Sequence, residues 1–424
     1  GTVINRLTES LPMTSTLKPW QAAAAGMLSL AVAMGIGRFA FTPLLPMMLA
    51  DGVVNLPTAS WLASANYLGY LVGALLCTLQ PWAWRRFGPL PPLRFTLLVR
   101  TGLVATCVLT LGMALHWPAA WTLLRFAAGV ASALVFVYTS GWCLGQLARL
   151  GVPAMGAVIY TGPGAGIVLS GLAASGMVAW HWTAAAGWLV FGLLAAVLTA
   201  LVWPVLAPRH ELPAPAAPPP GSAGMQGRHG AAEVATLTLA YGLAGFGYII
   251  TATFLPVIAR QSLPGSAWLD MFWPLFGLGV IAGALIASRM RTSLDLRLLL
   301  AACYAVQALG IGVGLFSPSL AGFALGSLLL GLPFTAITFF AMQEVRRIRP
   351  QAPAALMGLL TALYGLGQIV GPPLAAAMLA RAATPAAGFT LSLEIAAAAL
   401  VLGALAFAAM ARLWPVRPAA PAQA

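Results

Sequence analysis

The feature that most limits what this chain can fold into is a repetition. Apolar runs long enough to cross a bilayer follow one another along nearly the whole sequence. A helix needs about 20 apolar residues to traverse a hydrocarbon core of roughly 30 Å. Twelve such runs are read at 20–49, 59–80, 95–115, 118–145, 153–179, 183–206, 234–259, 266–288, 296–316, 319–343, 354–380 and 386–411. Their solvent follows from the charge content, since only 7% of the 424 residues are charged and 61% are hydrophobic. A water-facing surface usually draws on about a quarter charged residues, so most of this surface must face lipid. Long Ala/Leu/Gly runs also exclude a membrane barrel, whose strands would read as short alternating segments. The expected class is an all-α polytopic membrane protein.

Between the sixth and seventh runs lies the one long polar stretch, residues 207–233, rich in Pro, Ala and Gly. Too little apolar area is available there for a packed unit, and it reads as a linker. The expected organisation is a tail (1–19), a six-helix bundle (20–206), the linker, a second six-helix bundle (234–411) and a second tail (412–424). The first eighteen residues are polar and show no cleavable signal, and the first apolar run is long enough to stay as a span.

Basic residues fall almost wholly on one side of the twelve runs. That side receives Arg6, Lys18, Arg85, Arg86, Arg94, Arg149, Arg209, Arg228, Arg289, Arg291, Arg297, Arg346, Arg347, Arg349, Arg412 and Arg417, and the other only Arg260 and Arg381. The positive-inside rule then places both termini and the linker in the cytoplasm. The formal charge of +13 belongs to these loop clusters and not to a nucleic-acid surface.

An internal repeat underlies the pattern. A shift of 210 lays Gly35, Gly37, Pro46 and Gly69 on Gly245, Gly247, Pro256 and Gly279. A shift of 202 lays Gly129 on Gly331 and Met155-Gly156 on Met357-Gly358. The halves are therefore copies in parallel orientation. Repeats of this kind put a solute site at their interface near the bilayer midplane, with one half rocking against the other.

The string from Met34 to Met48 (MGIGRFAFTPLLPMM), followed by Ala65 to Leu76 (ANYLGYLVGALL), is similar to YbfB/YjiJ-type bacterial members of the major facilitator superfamily. The resemblance covers the whole chain and implies that superfamily's fold: two pseudo-symmetric six-helix bundles in the bacterial inner membrane, usually a monomer. Arg125 and Gly129 are similar to the Arg-x-x-x-Gly motif that the superfamily's drug exporters link to proton coupling, and Gly162-Pro163-Gly164-Ala-Gly166 to its antiporter motif. In the loop after the second helix Gly73 and Leu75 fit the superfamily pattern, Cys77 stands where an acid is expected, and Arg85-Arg86-Phe87-Gly88 comes late.

Charge inside the membrane marks function, because it needs a partner or a wet cavity. Arg38 lies deep in the first run with no acid near it in sequence. It reads either as an anchor for a carboxylate or phosphonate, or as an Arg tied to backbone carbonyls or another helix. Arg125 has the same two readings. Their repeat equivalents are Tyr248 and Ser327. Arg100, near the end of the third run, is expected to snorkel. Glu394 and Asp270 are candidate proton carriers, against the plainer readings of a neutral bonded Glu and a solvated Asp. Glu344 with Arg346 and Arg347 reads as a cytoplasmic ion-pair network, and with Arg85 and Arg86 as a gating group. Asn66, Tyr67, Tyr70, Tyr138, Tyr160, Tyr248, Thr251, Tyr364 and Gln368 are candidate wall residues of an amphipathic pocket.

Enzymatic chemistry has little to stand on. His116, His181, His210 and His229 fall in loops or at span ends, and Cys77, Cys107, Cys143 and Cys303 read as packing residues at no metal-like spacing. No phosphate-binding loop is present, so neither cofactor, metal nor nucleic acid is expected. The partners expected are a small solute, lipid and a proton. The reading that results is a secondary transporter of a small organic anion. The alternatives are a proton-coupled exporter of amphipathic compounds and a non-transporting membrane sensor.

Overall fold

A computed structural model describes residues 17–88, 91–212, 230–290, 293–349 and 354–416. Arg6, Arg228, His229, Arg291 and Arg417 lie outside the described residues. Among the described residues no strand occurs, and twelve helical spans carry the chain back and forth. They are α1 (Pro19–Ala50), α2 (Leu56–Arg86), α3 (Phe95–Gly112), α4 (Pro118–Arg149), α5 (Pro153–Ala179), α6 (Ala184–Val202), α7 (Ala231–Ser262), α8 (Leu269–Arg289), α9 (Leu296–Phe316), α10 (Leu320–Ile348), α11 (Ala355–Arg381) and α12 (Pro385–Leu413). The face that carries the start of α1 and the end of α6 is here the linker face.

Span starts are set by short polar caps. Asn55, Thr183, Ser319 and Thr384 accept the backbone N–H of Thr58, Ala186, Gly322 and Ala387, satisfying donors that the first turn leaves free. Helix α2 runs on through Pro81 to Arg86, six residues past its apolar run, so Arg85 and Arg86 sit on its last turn and not in a loop. The first residues of the polar stretch are docked as well. Phe95 and Thr96 at the head of α3 donate their N–H groups to Glu211, at 2.9 and 3.0 Å.

Helices α1–α6 and α7–α12 form two bundles that meet along α2 with α11, α5 with α8, and α1 with α7. Glycine permits the closest of these approaches. Gly164 faces Gly277 and Ile281 of α8 with no room for a Cβ, and Gly166 faces the backbone of α1 at Ala31 and Gly35. The Gly-Pro-rich string in α5 thus serves backbone-to-backbone packing, both inside its bundle and across to the other.

Candidate substrate site

The site grows out of a break in α1. Pro43 has no N–H to give to the carbonyl of Phe39, and Gly35 and Gly37 weaken the helix just before it. The chain responds with a π-helical stretch, Ala31–Arg38, then a tight turn at Phe39 and Ala40, before the helix resumes at Phe41. Widened turns of this kind leave carbonyls without their usual partners and recur at functional sites. Two neighbouring helices meet the demand. Arg125 of α4 donates to the carbonyls of Gly37 and Arg38 at 3.3 and 3.0 Å. Asn66 of α2 donates to the carbonyl of Gly37 at 3.3 Å and to that of Arg125 at 2.9 Å. Arg125 therefore holds the backbone of the break, with its guanidinium between the rings of Phe41 and Trp188 at 5.3 and 5.7 Å.

Arg38 projects from this fixed turn into the interface between the bundles and is only 3% exposed. Its guanidinium lies over the Tyr70 ring at 4.2 Å and near those of Phe39 and Tyr67 at 5.0 and 5.6 Å. A long hydrogen bond, 3.4 Å, runs from its Nη2 to the Tyr248 hydroxyl, a further side-chain hydrogen bond joins it to Tyr70, and its Nε has no partner. No carboxylate among the described residues pairs with it. Cation–π contacts of this sort recover on the order of 2 kcal/mol each when desolvated, against several for burying the charge.

The opposite bundle supplies the facing wall. Gln368 of α11 donates to the Tyr248 hydroxyl at 2.5 Å, so that oxygen accepts from both bundles. Tyr364 stacks on Tyr248 at 6.0 Å and lies tilted against Tyr241 at 5.0 Å. Phe334 closes the far side against Tyr248 and Phe39. Tyr67, Tyr248, Tyr364 and Gln368 thus gather around Arg38, together with Tyr70. Tyr241, Phe39 and Phe334 join them without having been read as wall residues, because nothing separates a lining aromatic from a packing one in a uniformly apolar run.

Further hydrogen bonds tie the bundles together on the side of Arg38 away from the linker face. Thr42 donates to the carbonyl of Ala252, Tyr67 meets Thr253 at 2.8 Å, and Ser64 donates to the carbonyl of Ile369 at 2.9 Å. Since the Thr253 hydroxyl gives its proton to Ile249, Tyr67 is the donor to Thr253.

Other candidates stand apart. Tyr138 lies against Phe95 at 5.6 Å and Tyr160 against Phe136 at 6.3 Å, both towards the linker face. Thr251 lines a separate cavity inside the second bundle. Asp270 is held by Arg260 at 2.7 Å near the opposite face. Glu394 is exposed on the outer side of α12 and turned away from Arg38. Arg100 binds the carbonyl of Trp203 at 2.7 Å and stacks on its ring, joining α3 to the end of α6.

The linker-face network differs in membership from the expected one. Glu344 pairs with Arg347 at 2.6 Å, while Arg346 is exposed. The second cation is Arg297, counted above as a loop residue and fully buried in the structure. It forms a two-point bridge to Asp295 at 2.8 and 3.0 Å and donates to the carbonyls of Met410 and Trp414. Glu233 and Glu344 lie 3.9 and 3.8 Å away. Hydrogen bonds from Arg297 hold the Asp295 carboxyl below the usual carboxylate range. The network joins α7, α9, α10 and α12 of one bundle. Arg85 and Arg86 are not among its members, lying on the other bundle at the end of α2.

Over residues 30–408 the sequence matches the profile of a family described as uncharacterised MFS-type transporter YbfB. Comparison with curated proteins gives no match. Among solved structures, the nucleoside transporter NupG superposes with a TM-score of 0.70 at 14% identity, over 92% of this chain and 99% of that one. A D-xylose-proton symporter gives 0.66 at 14%, over 94% and 97%. The human organic anion transporter TETRAN gives 0.60 at 15%, over 92% and 100%. At these identities the likeness carries the fold alone.

Proposed function

The chain belongs to the YbfB-type family of major facilitator superfamily transporters, multi-pass membrane proteins that are not enzymes, and from that premise we propose that it moves a small organic anion by alternating access. The observation that carries the reading is the unpaired, buried Arg38 guanidinium in an aromatic enclosure. A carboxylate seated on Arg38 would take a charge-assisted, two-point hydrogen bond. The rings of Tyr67, Tyr70, Tyr248 and Tyr364 favour a flat, partly apolar body behind that charge. Gln368 and Tyr248 would then bring the second bundle onto the same ligand, which is how occupancy would pull the halves together. A sugar site would ask for more amide and acid groups than surround Arg38.

Proton coupling is the second part of the proposal. The acid it is placed on is Asp270, because Glu394 faces away from the centre; protonating Asp270 would release Arg260 and loosen the junction of α7 and α8. A bacterial inner membrane with both termini and the linker in the cytoplasm fits the Arg bias along the loops, and the working unit is placed as a monomer. An exporter of amphipathic compounds draws its support from the aromatic wall, but it leaves the unpaired Arg38 without a use.

The test is uptake of aromatic and aliphatic carboxylates into proteoliposomes, with and without a pH gradient. Uptake in the wild type that vanishes in Arg38→Ala, while that variant still inserts, is the expected result. Uptake that survives the substitution removes Arg38 from the site, and uptake indifferent to the gradient removes the proton.

A further inference from the structure

The second bundle contains a cavity of about 180 Å³ between α7, α9, α10 and α12, open towards the face away from the linker. It is no part of the Arg38 site. Thr251, Ser327, Phe389, Thr390 and Gln261 are among its walls. The repeat says what the space is. With the shift of 210, Phe41 falls on Thr251; with the shift of 202, Arg125 falls on Ser327. Helices α6 and α12 begin at equivalent threonine caps, Thr183 and Thr384, a shift of 201 that lays Trp188 on Phe389. In the first bundle Phe41, Arg125 and Trp188 are a set, a guanidinium between two rings. In the second bundle all three equivalents line the cavity. The guanidinium has become a serine and one ring a threonine, and the remaining ring looks into the space left behind.

An acid lies one turn beyond its rim, although not among its walls. Glu394 lies one helical turn from Thr390 on the same stripe of α12, and helical side chains lean towards the preceding turn, here towards Thr390 and the rim of the cavity. The residue is exposed on the outer surface of its span and has no partner among the described residues. A carboxylate at that depth is costly without a counter-charge. Its equivalent in the first bundle is Leu193, so the acid appears only where the arginine is missing.

We infer that this cavity is a second ligand site, for a small planar organic cation of the guanidinium or amidinium type, with Phe389 beneath the cation, hydroxyls and Gln261 around it, and Glu394 as its counter-charge. The size fits, since a cavity of ~150 Å³ admits a benzene-sized molecule. Such a ligand would fill, between α7, α10 and α12, the space that the Arg125 guanidinium fills in the first bundle, although α7 has no break for it to hold, and would stiffen the half that lacks a built-in cation.

The experiment is thermal unfolding of the purified full chain with benzamidinium, and with neutral benzamide as the shape control. Benzamidinium should raise Tm and benzamide should not. In Glu394→Gln, a change at an exposed position, the apparent affinity should fall at least tenfold. In Ser327→Arg, which restores the arginine of the other bundle, the benzamidinium response should vanish and the ligand-free Tm should rise. Arg38→Ala should leave the response intact, which separates this site from the proposed anion site. Equal responses to benzamide and benzamidinium, or a response undiminished in Glu394→Gln, would overturn the inference. So would the lack of any benzamidinium response in the wild type.

Discussion

Arg297 and Arg38 are buried to almost the same extent and treated in opposite ways. Arg297 is fully buried, and its guanidinium is met by a two-point bridge to Asp295, two backbone carbonyls and two more carboxylates within 4 Å. Arg38 is 3% exposed and is met by rings, a 3.4 Å bond to the Tyr248 phenol and a bond to that of Tyr70, with no carboxylate beside it. One site is saturated and ties four helices of a single bundle together. The other is left wanting, and it lies where the two bundles meet. Burial alone therefore does not tell the two charges apart; the partners that meet each guanidinium do.

Substitution of the saturated arginine should give the largest effect. Arg297→Ala removes the partner of Asp295 and one of two cations from Glu233 and Glu344, and breaking a buried pair costs about 3–5 kcal/mol. A clear fall in Tm and in monodisperse yield is expected, whereas Arg38→Ala should melt at or above the wild-type temperature because an uncompensated charge has been removed. Equal melting of the two variants would erase the distinction.

The next effect sharpens it on the Arg38 side. Tyr248→Phe deletes the oxygen that both Arg38 and Gln368 use. A hydrogen bond to a charged group is worth about 1.5–3 kcal/mol, so anion affinity should fall by roughly 10- to 100-fold with little change in Tm. Titration of ligand against melting temperature reads both quantities at once.

Smaller still is Thr42→Val, which removes one bond between the bundles. About 1 kcal/mol is at stake, and the tie lies away from the linker face. Cysteine labelling at positions near Ala252 should quicken on that face, and unchanged labelling would mean that the bond is no part of the closure.

The last effect concerns acid. The Asp295 carboxyl titrates below its unfolded range, so its contribution is complete at neutral pH and is lost only as pH falls through that lowered value. Half of a Tm-against-pH curve, taken from pH 7 downward, should stay flat until strongly acid conditions and steepen there. In Asp295→Asn the steepening should shrink.

The contrast between the two arginines was half legible in the sequence. Arg38 stood out because it interrupts an apolar run with no acid nearby. The twelve spans and the repeat were legible for a related reason: run length and loop charge are summed over many residues and tolerate local error. Arg297 was hidden, since two residues into a span it looks like a loop arginine, and besides its neighbour Asp295 its acids come from two other helices, α7 and α10. The break in α1 ahead of Pro43, and the spending of Arg125 on the freed carbonyls, came only with the structure. The azimuth of each helix was also out of reach. A helix apolar all round carries almost no facing signal, which is why Tyr138, Tyr160 and Glu394 could be named from sequence but not placed.

The measurement that bears most directly on the central claim is thermal stabilisation of the wild type and Arg38→Ala by paired carboxylates and their isosteric carboxamides. Binding to the folded state raises Tm by mass action without assuming a direction of transport. The account predicts that some carboxylates stabilise the wild type, that their amides do not, and that Arg38→Ala responds to neither. Carboxylates that stabilise both proteins alike, or amides that match their acids, would contradict it and return Arg38 to a packing role.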